Sequence, residues 1–90
     1  MKLLLILACE DIDIFCIQET WIAEGAPAPH IDGFYLIESR WPGNTRGGLL
    51  TYIRKPLKIE TSTVNEYGIL TKIILPNSKR INIINIYLPP

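Results

Sequence analysis

Glu19 is the first residue in this sequence whose type and position suit metal chemistry. It lies in Gln18-Glu19-Thr20, directly after the apolar run 14–17, which predicts a short strand buried on both faces. A carboxylate at the end of a buried strand is well placed to hold a hard cation such as Mg²⁺, which takes oxygen ligands. The same position is also typical of a glutamate that only ends a strand at the surface.

Tyr87 is the second candidate, in the final segment Asn85-Ile86-Tyr87-Leu88-Pro89-Pro90. On a strand of period two, Tyr87 shares one face with Asn85, and three apolar side chains fill the other: Ile84, Ile86 and Leu88. A phenol at the end of such a strand can hydrogen-bond a phosphate oxygen or assist proton transfer. The alternative is an aromatic side chain at the rim of a sheet.

Arg40 and Arg46 are candidate phosphate ligands. They flank the turn-forming segment 41–45, which contains Trp41, and two glycines follow it. The planar guanidinium group of arginine matches phosphate oxygens, and a nearby aromatic ring can stack on a base. Arginines in loops also occur as simple solvated charges, and this is the alternative here.

The elements that must position these residues are mostly strands. The leucine-rich residues 2–10 contain neither Gly nor Pro and predict a short helix, whereas recurring Gly and Pro predict a loop over 23–33. Strands are expected over 14–18, 34–39, 47–54, 57–63, 67–75 and 80–88, with a hairpin turn at 76–79 and the last strand in the centre of a sheet. The expected fold class is α+β: about six mostly antiparallel strands with a short N-terminal helix, a β-sandwich with helical cover.

Composition limits the functional classes. The 90 residues are 48% hydrophobic and 20% charged with zero net charge, which excludes disorder and argues against a nonspecific basic nucleic-acid coat. Charge is asymmetric, because residues 1–45 carry seven acids and two bases and residues 46–90 carry two acids and seven bases. Cys9 and Cys16 support neither a zinc site nor a disulfide framework, which favours an intracellular protein. The apolar run 3–9 is short for a signal peptide and far short of a membrane span.

Several segments together resemble a known family. They are Asp11-Ile12-Asp13-Ile14-Phe15-Cys16-Ile17-Gln18-Glu19-Thr20-Trp21, residues 33–40, residues 46–54 and Asn85-Ile86-Tyr87-Leu88-Pro89-Pro90. In this order and spacing they resemble the N-terminal part of the endonuclease/exonuclease/phosphatase superfamily. The similarity is greatest to the apurinic-endonuclease-like domain that non-LTR retrotransposons encode ahead of their reverse transcriptase.

This resemblance implies a fold and an activity. The fold would be part of a four-layer α/β sandwich (DNase I-like), with the site at one end. The activity would be cleavage of phosphodiester bonds with Mg²⁺ or Mn²⁺, in which the metal neutralises phosphate charge while water attacks in line. By position, Glu19 resembles the metal-binding glutamate and Tyr87 the active-site tyrosine. The partners would be DNA and the rest of the same domain, with no membrane, in the nucleus or cytoplasm.

The family pattern is incomplete in this sequence. An active-site asparagine is expected before Met1, and an Asp-x-Asn and an Asp-His pair are expected after Pro90. Residues 1–90 are therefore interpreted as the N-terminal part of a hydrolase domain that is inactive alone. Two alternatives stay open: a noncatalytic β-rich interaction module whose open sheet edge pairs with another chain, and a small secreted protein processed near Cys9.

Overall fold

The computed structural model describes residues 11–20, 22, 25–40 and 48–88. These residues form two antiparallel sheets of three strands each. The strands are β1 (Ile14–Gln18), β2 (Phe34–Ser39), β3 (Leu49–Arg54), β4 (Lys58–Asn65), β5 (Gly68–Ile74) and β6 (Arg80–Ile86). The described residues include no helix long and apolar enough to cross a bilayer.

The first sheet has the order β1-β3-β2, with β3 in the centre. Gln18 lies opposite Leu49 on one side, and Ser39 lies opposite Leu49 on the other. All residues of β3 except Arg54 are buried. This explains its nearly continuous apolar sequence, because a strand covered on both faces has no solvent-facing positions.

A loop covers the outer face of the first sheet. Ile31 lies in this loop and forms a buried cluster with Phe34, Leu50 and Tyr52. The Tyr52 hydroxyl donates a 2.6 Å hydrogen bond to the carbonyl of Pro29, which ties the loop to the central strand. The cover is therefore an irregular segment, in agreement with the Gly and Pro content of residues 25–33.

The second sheet has the order β4-β5-β6 and consists of two successive hairpins. Asn65 closes the first hairpin, since its side-chain oxygen accepts hydrogen bonds from the backbone N–H groups of Tyr67 and Gly68. In the second hairpin the Leu75 N–H donates to the Lys79 carbonyl. The hairpin predicted at 76–79 is thus confirmed.

The two faces of the second sheet differ in burial. Ile69, Ile73 and Asn85 point into the sandwich and are at most 1% exposed. The opposite face carries apolar side chains that remain exposed, among them Ile84, Ile86 and Leu88. Ile84 and Ile86 thus lie on the face of β6 opposite Asn85, as the alternation predicts, and this face is exposed in the described part of the chain.

The predicted α+β fold class is also wrong. The described residues are all-β, with two antiparallel three-stranded sheets and no helix. The predicted helix at 2–10 lies outside the described residues, and on the first sheet the covering layer is the loop that contains Ile31. Pro27 and Pro29 in this loop disfavour a helix there because proline lacks the N–H donor and clashes with the preceding turn. The expected part of a four-layer α/β sandwich is therefore replaced by a two-sheet β-sandwich.

The last strand also lies elsewhere in its sheet than predicted. β6 pairs with β5 and is an edge strand of the second sheet, not a central one. Only one face of β6 is covered by another layer of the described structure.

Candidate functional site

One end of the sandwich brings together residues from both sheets. In the first sheet this end contains Gln18 and Ser39 beside the start of β3, and in the second sheet it contains Asn65, Gly68 and Ile86. The Ser39 hydroxyl donates a 2.5 Å hydrogen bond to the Asn65 carbonyl and so joins the two sheets there. We call this region the Glu19 end.

Glu19 and Tyr87 meet at the Glu19 end. The Tyr87 hydroxyl donates a 2.5 Å hydrogen bond to Oε1 of Glu19, across 68 residues of sequence. Glu19 directly follows β1 and Tyr87 directly follows β6, so each side chain is held by a strand of a different sheet. Glu19 is exposed and Tyr87 is half-buried, which leaves the pair accessible to a ligand from solvent.

The backbone of Glu19 is in an unusual conformation. Its φ angle is +52°, in the left-handed region, which non-glycine residues rarely adopt. Such a conformation costs on the order of 1–3 kcal/mol, and residues of this kind concentrate at functional sites. This conformation occurs directly after β1, at the residue whose carboxylate accepts the Tyr87 hydrogen bond.

Gly48 makes room for the segment that follows β1. Its φ angle is +112°, and a Cβ atom added there would lie 2.5 Å from Oγ1 of Thr20. The Thr20 N–H also donates a 3.4 Å hydrogen bond to the Gly48 carbonyl. Gly48 therefore allows the segment that carries Glu19 to pass close to the start of β3. The sequence contained the signal for this contact, since a glycine that opens a buried strand often marks a close backbone approach.

Asn85 is a site residue that the sequence analysis did not single out. Its side chain is 1% exposed and lies between the sheets. Gln18 Nε2 donates to Asn85 Oδ1 at 2.7 Å, and Asn85 Nδ2 donates to the Leu50 carbonyl at 2.9 Å and to Thr51 Oγ1 at 3.1 Å. The Gln18–Asn85 bond is thus the neighbour of the Glu19–Tyr87 bond. Gln18 is one residue before Glu19, and Asn85 is two residues before Tyr87.

Arg40 does not join the Glu19–Tyr87 pair in the described structure. Arg40 follows β2 at the Glu19 end, but β3 lies between β1 and β2, so the two strands are about 10 Å apart. The Arg40 Nε donates a 2.9 Å hydrogen bond to Glu38, and this ion pair is partly exposed. Arg46 lies outside the described residues.

Cys16 and His30 show no catalytic arrangement. Burial raises the pKa of the Cys16 thiol, and a hydrogen bond with Thr51 offsets only part of this effect. The thiol is therefore protonated at neutral pH and is a poor nucleophile. His30 lies in an exposed loop, where its Nε2 is 3.0 Å from Asp32 Oδ1.

Glu19 fits a divalent cation as a single ligand. Its carboxylate is exposed, and Mg²⁺ is often held by one or two carboxylates together with water and substrate phosphate. Residues 11–20, 22, 25–40 and 48–88 contain no group of three or more His, Cys, Asp or Glu side chains that would form a complete metal site. A cation at Glu19 would therefore need further oxygen ligands from water, phosphate or other residues.

Comparison with known proteins returns no relative. No protein-family model, no curated protein and no solved structure matches the chain.

Proposed function

We propose that the Glu19 end is part of the active site of a divalent-metal-dependent phosphodiesterase, of the DNA endonuclease type encoded by non-LTR retrotransposons. The observation that carries this proposal is the 2.5 Å contact between Tyr87 and Glu19, which unites the two candidate residues at one end of the sandwich. Their separation by 68 residues in sequence means that the fold, not local sequence, creates the pair.

Each residue of the pair has a distinct role in this proposal. Glu19 supplies a negative oxygen for Mg²⁺ or Mn²⁺. Tyr87, whose hydroxyl donates to Glu19 in this structure, transfers that single donor to a non-bridging phosphate oxygen when the substrate is bound. When bound, the metal supplies charge neutralisation for the phosphate and for the leaving oxygen. Water attacks phosphorus in line and gives up a proton to solvent, the P–O bond to the leaving oxygen breaks, and that oxygen takes up a proton from solvent.

The strain at Glu19 supports the same proposal. A glutamate with φ of +52° is less stable than a glycine or asparagine would be in this place. Strained residues of this kind concentrate at functional sites, and the carboxylate of this one accepts the Tyr87 hydrogen bond.

A second function remains a candidate because of a different observation. Ile84 and Ile86 are 60% and 55% exposed on β6, which is an edge strand. These features favour a noncatalytic β-rich interaction module that pairs its β6 edge with a strand of another chain. This alternative assigns no role to the carboxylate of Glu19, so a metal titration separates the two functions.

The test is a Mn²⁺ titration of the 90-residue chain followed by NMR. Under the proposal, paramagnetic broadening is centred on the amide signals of residues 18–20 and 87–88, and excess Mg²⁺ reverses it. Glu19→Gln abolishes this local broadening. Glu60→Gln is the matched control, since Glu60 is an exposed glutamate of β4 that forms an ion pair with Arg80, and it leaves the broadening unchanged. Broadening that persists in Glu19→Gln would contradict the proposal.

Activity is tested separately with Mg²⁺ and a DNA duplex that contains an abasic site. We expect no turnover by the 90-residue chain, because Glu19 alone does not complete a metal site among the described residues. Cleavage that is equally fast in Glu19→Gln would show that the assigned role of Glu19 is wrong.

A further inference from the structure

Asn85 occupies a position where packing alone favours an apolar residue. It lies on the inner face of β6, and its side chain is 1% exposed. Burial of a carboxamide is costly unless its polar atoms are hydrogen-bonded. Asn85 meets this requirement, since its oxygen accepts from Gln18 and its nitrogen donates to the Leu50 carbonyl and to Thr51.

The partners of Asn85 all belong to the other sheet. Leu50 and Thr51 are on the central strand β3, and Gln18 is the last residue of β1. A longer contact of 3.4 Å runs from Asn85 Nδ2 to the Ile17 carbonyl, also on β1. Asn85 therefore binds β6 to two strands of the first sheet. Hydrogen bonds are directional, so this network specifies how the two strand ends are aligned, which apolar contacts alone do not.

This alignment sets the geometry of the candidate site. Asn85 is two residues before Tyr87, and Gln18 directly precedes Glu19. The bond between Gln18 and Asn85 and the bond between Glu19 and Tyr87 are consecutive links between the same two strand ends. A shift of β6 along β1 that breaks the inner link also changes the distance between the phenol and the carboxylate.

We propose that Asn85 is a positioning residue, which holds the Tyr87 hydroxyl against Glu19 through its hydrogen bonds to β1 and β3. Its significance for catalysis rests on the proposed function, but its effect on the Glu19–Tyr87 contact does not. Asn85 acts through Tyr87 and Glu19 and does not itself touch a metal or substrate.

The test measures the Glu19–Tyr87 contact directly. The chain is labelled with ¹³Cζ-tyrosine, and the Tyr87 signal is assigned by Tyr87→Phe. Glu19→Ala then gives the chemical shift of the phenol without its carboxylate acceptor. In Asn85→Leu we expect the Tyr87 signal to move most of the way to that value. Mn²⁺ affinity, measured in the same samples, falls about 10-fold, as is typical when a residue that orients a metal ligand is removed.

Asn82→Leu is the matched control. Asn82 is on the same strand and is also flanked by isoleucines, but its side chain is exposed on the outer face of the second sheet. We expect it to leave both the Tyr87 signal and the Mn²⁺ affinity unchanged. Equal effects of the two asparagine substitutions would overturn the inference.

Gln18→Met keeps the inference testable if Asn85→Leu does not fold. Gln18 is exposed, so the substitution removes one link of the network without a cavity in the core. We expect a shift of the Tyr87 signal in the same direction as in Asn85→Leu. A Tyr87 signal that stays at its wild-type position in folded Gln18→Met would overturn the inference.

The same data separate the inference from the proposed function. If wild-type chain does not bind Mn²⁺ near Glu19 but the Tyr87 signal depends on Asn85, the proposed function is wrong and the positioning role holds. If Mn²⁺ binds near Glu19 but the Tyr87 signal is independent of Asn85, the positioning role is wrong and the proposed function holds.

Discussion

The two sheets have the same number of strands and the same antiparallel pairing, yet they are packed differently. The central strand of the first sheet is covered on both faces, by the second sheet and by the loop that contains Ile31, whereas the neighbouring strand β2 exposes Tyr35 and Leu36. The second sheet is covered on one face only in the described structure, and its outer face exposes Ile84, Ile86 and Leu88. Apolar content alone therefore does not identify a buried strand, since β6 is rich in isoleucine and one of its faces is still exposed to solvent.

The candidate site lies where the two kinds of sheet meet. Glu19 follows β1 of the first sheet with a strained backbone, and Tyr87 follows β6 of the second sheet, which has one exposed face in the described structure. The position of Tyr87 relative to Glu19 depends on how β6 is attached to the first sheet.

The largest expected effect contrasts two isoleucines. Ile53 on β3 is 0% exposed and Ile84 on β6 is 60% exposed. We expect Ile53→Ala to lower the free energy of unfolding by about 2–5 kcal/mol, or to leave the chain unfolded at 25 °C, because it creates a cavity. Ile84→Ala is expected to change it by less than about 0.5 kcal/mol. Urea unfolding followed by circular dichroism measures both. A similar loss at both positions would mean that the outer face of the second sheet is buried in solution.

The next largest effect is expected from a contrast between two glycines at the Glu19 end. Gly48→Ala forces a side chain into a left-handed backbone with φ of +112° and against Thr20. We expect a loss of about 1–3 kcal/mol in the free energy of unfolding. Gly68, at the same end of the second sheet, has only ordinary contacts around an added Cβ, the nearest at 3.5 Å from the Asn85 carbonyl oxygen. Gly68→Ala is therefore expected to be neutral or slightly stabilising.

Gly33→Ala separates the two causes at Gly48. Gly33 has φ of +85° but no atom within 4 Å of an added Cβ, so its substitution reports backbone strain alone. If Gly48→Ala lowers the free energy of unfolding no more than Gly33→Ala does, the close approach of Thr20 to Gly48 makes no contribution to stability.

The smallest expected effect concerns the cover of the first sheet. Tyr52→Phe removes the hydrogen bond to the Pro29 carbonyl, and we expect a loss of about 0.5–1.5 kcal/mol at pH 7. Faster proteolysis within the loop 25–33 is the second readout. Tyr35→Phe is the control, since Tyr35 is 43% exposed on the neighbouring strand β2. A stability loss in Tyr35→Phe as large as that in Tyr52→Phe would contradict this role of the Tyr52 hydroxyl.

Tyr52 also predicts an effect of alkaline pH. Burial, with a smaller contribution from Glu38, raises the pKa of Tyr52 above its ordinary value of 10. The unfolded chain loses this proton at lower pH than the folded chain, so the folded state binds more protons between the two pKa values. Stability therefore falls as pH rises from about 10 through the pKa of the folded state. In Tyr52→Phe this decrease is shallower, as urea unfolding at pH 7 to 11 can measure.

The sequence predicts much of the local structure because strand signals are local. The bounds of β1 and β2 agree with the predicted ranges 14–18 and 34–39, and the turn at 76–79 follows from Pro76 and Asn77. The predicted α+β class differs from the observed one because its helix was placed at 2–10, outside the described residues, and the described cover of the first sheet is the loop 25–33.

The sequence also does not reveal the role of Asn85. Asn82 and Asn85 have the same neighbours, since each lies between two isoleucines, yet Asn82 is exposed and Asn85 is 1% exposed. They point to opposite faces because their spacing of three residues is odd on a strand of period two. Which face turns inward depends on the first sheet, whose polar groups accept and satisfy the Asn85 carboxamide.

The sequence alone is sufficient to identify the candidate residues and the strands that carry them. Glu19 at the end of one strand and Tyr87 at the end of another follow from alternation, branching and turn residues, which act over a few neighbours. Only the tertiary structure decided that the phenol meets the carboxylate and that the isoleucine face of β6 is exposed. Both depend on the packing of one sheet on another, and the bonds that fix this packing join residues that are 67 and 68 positions apart.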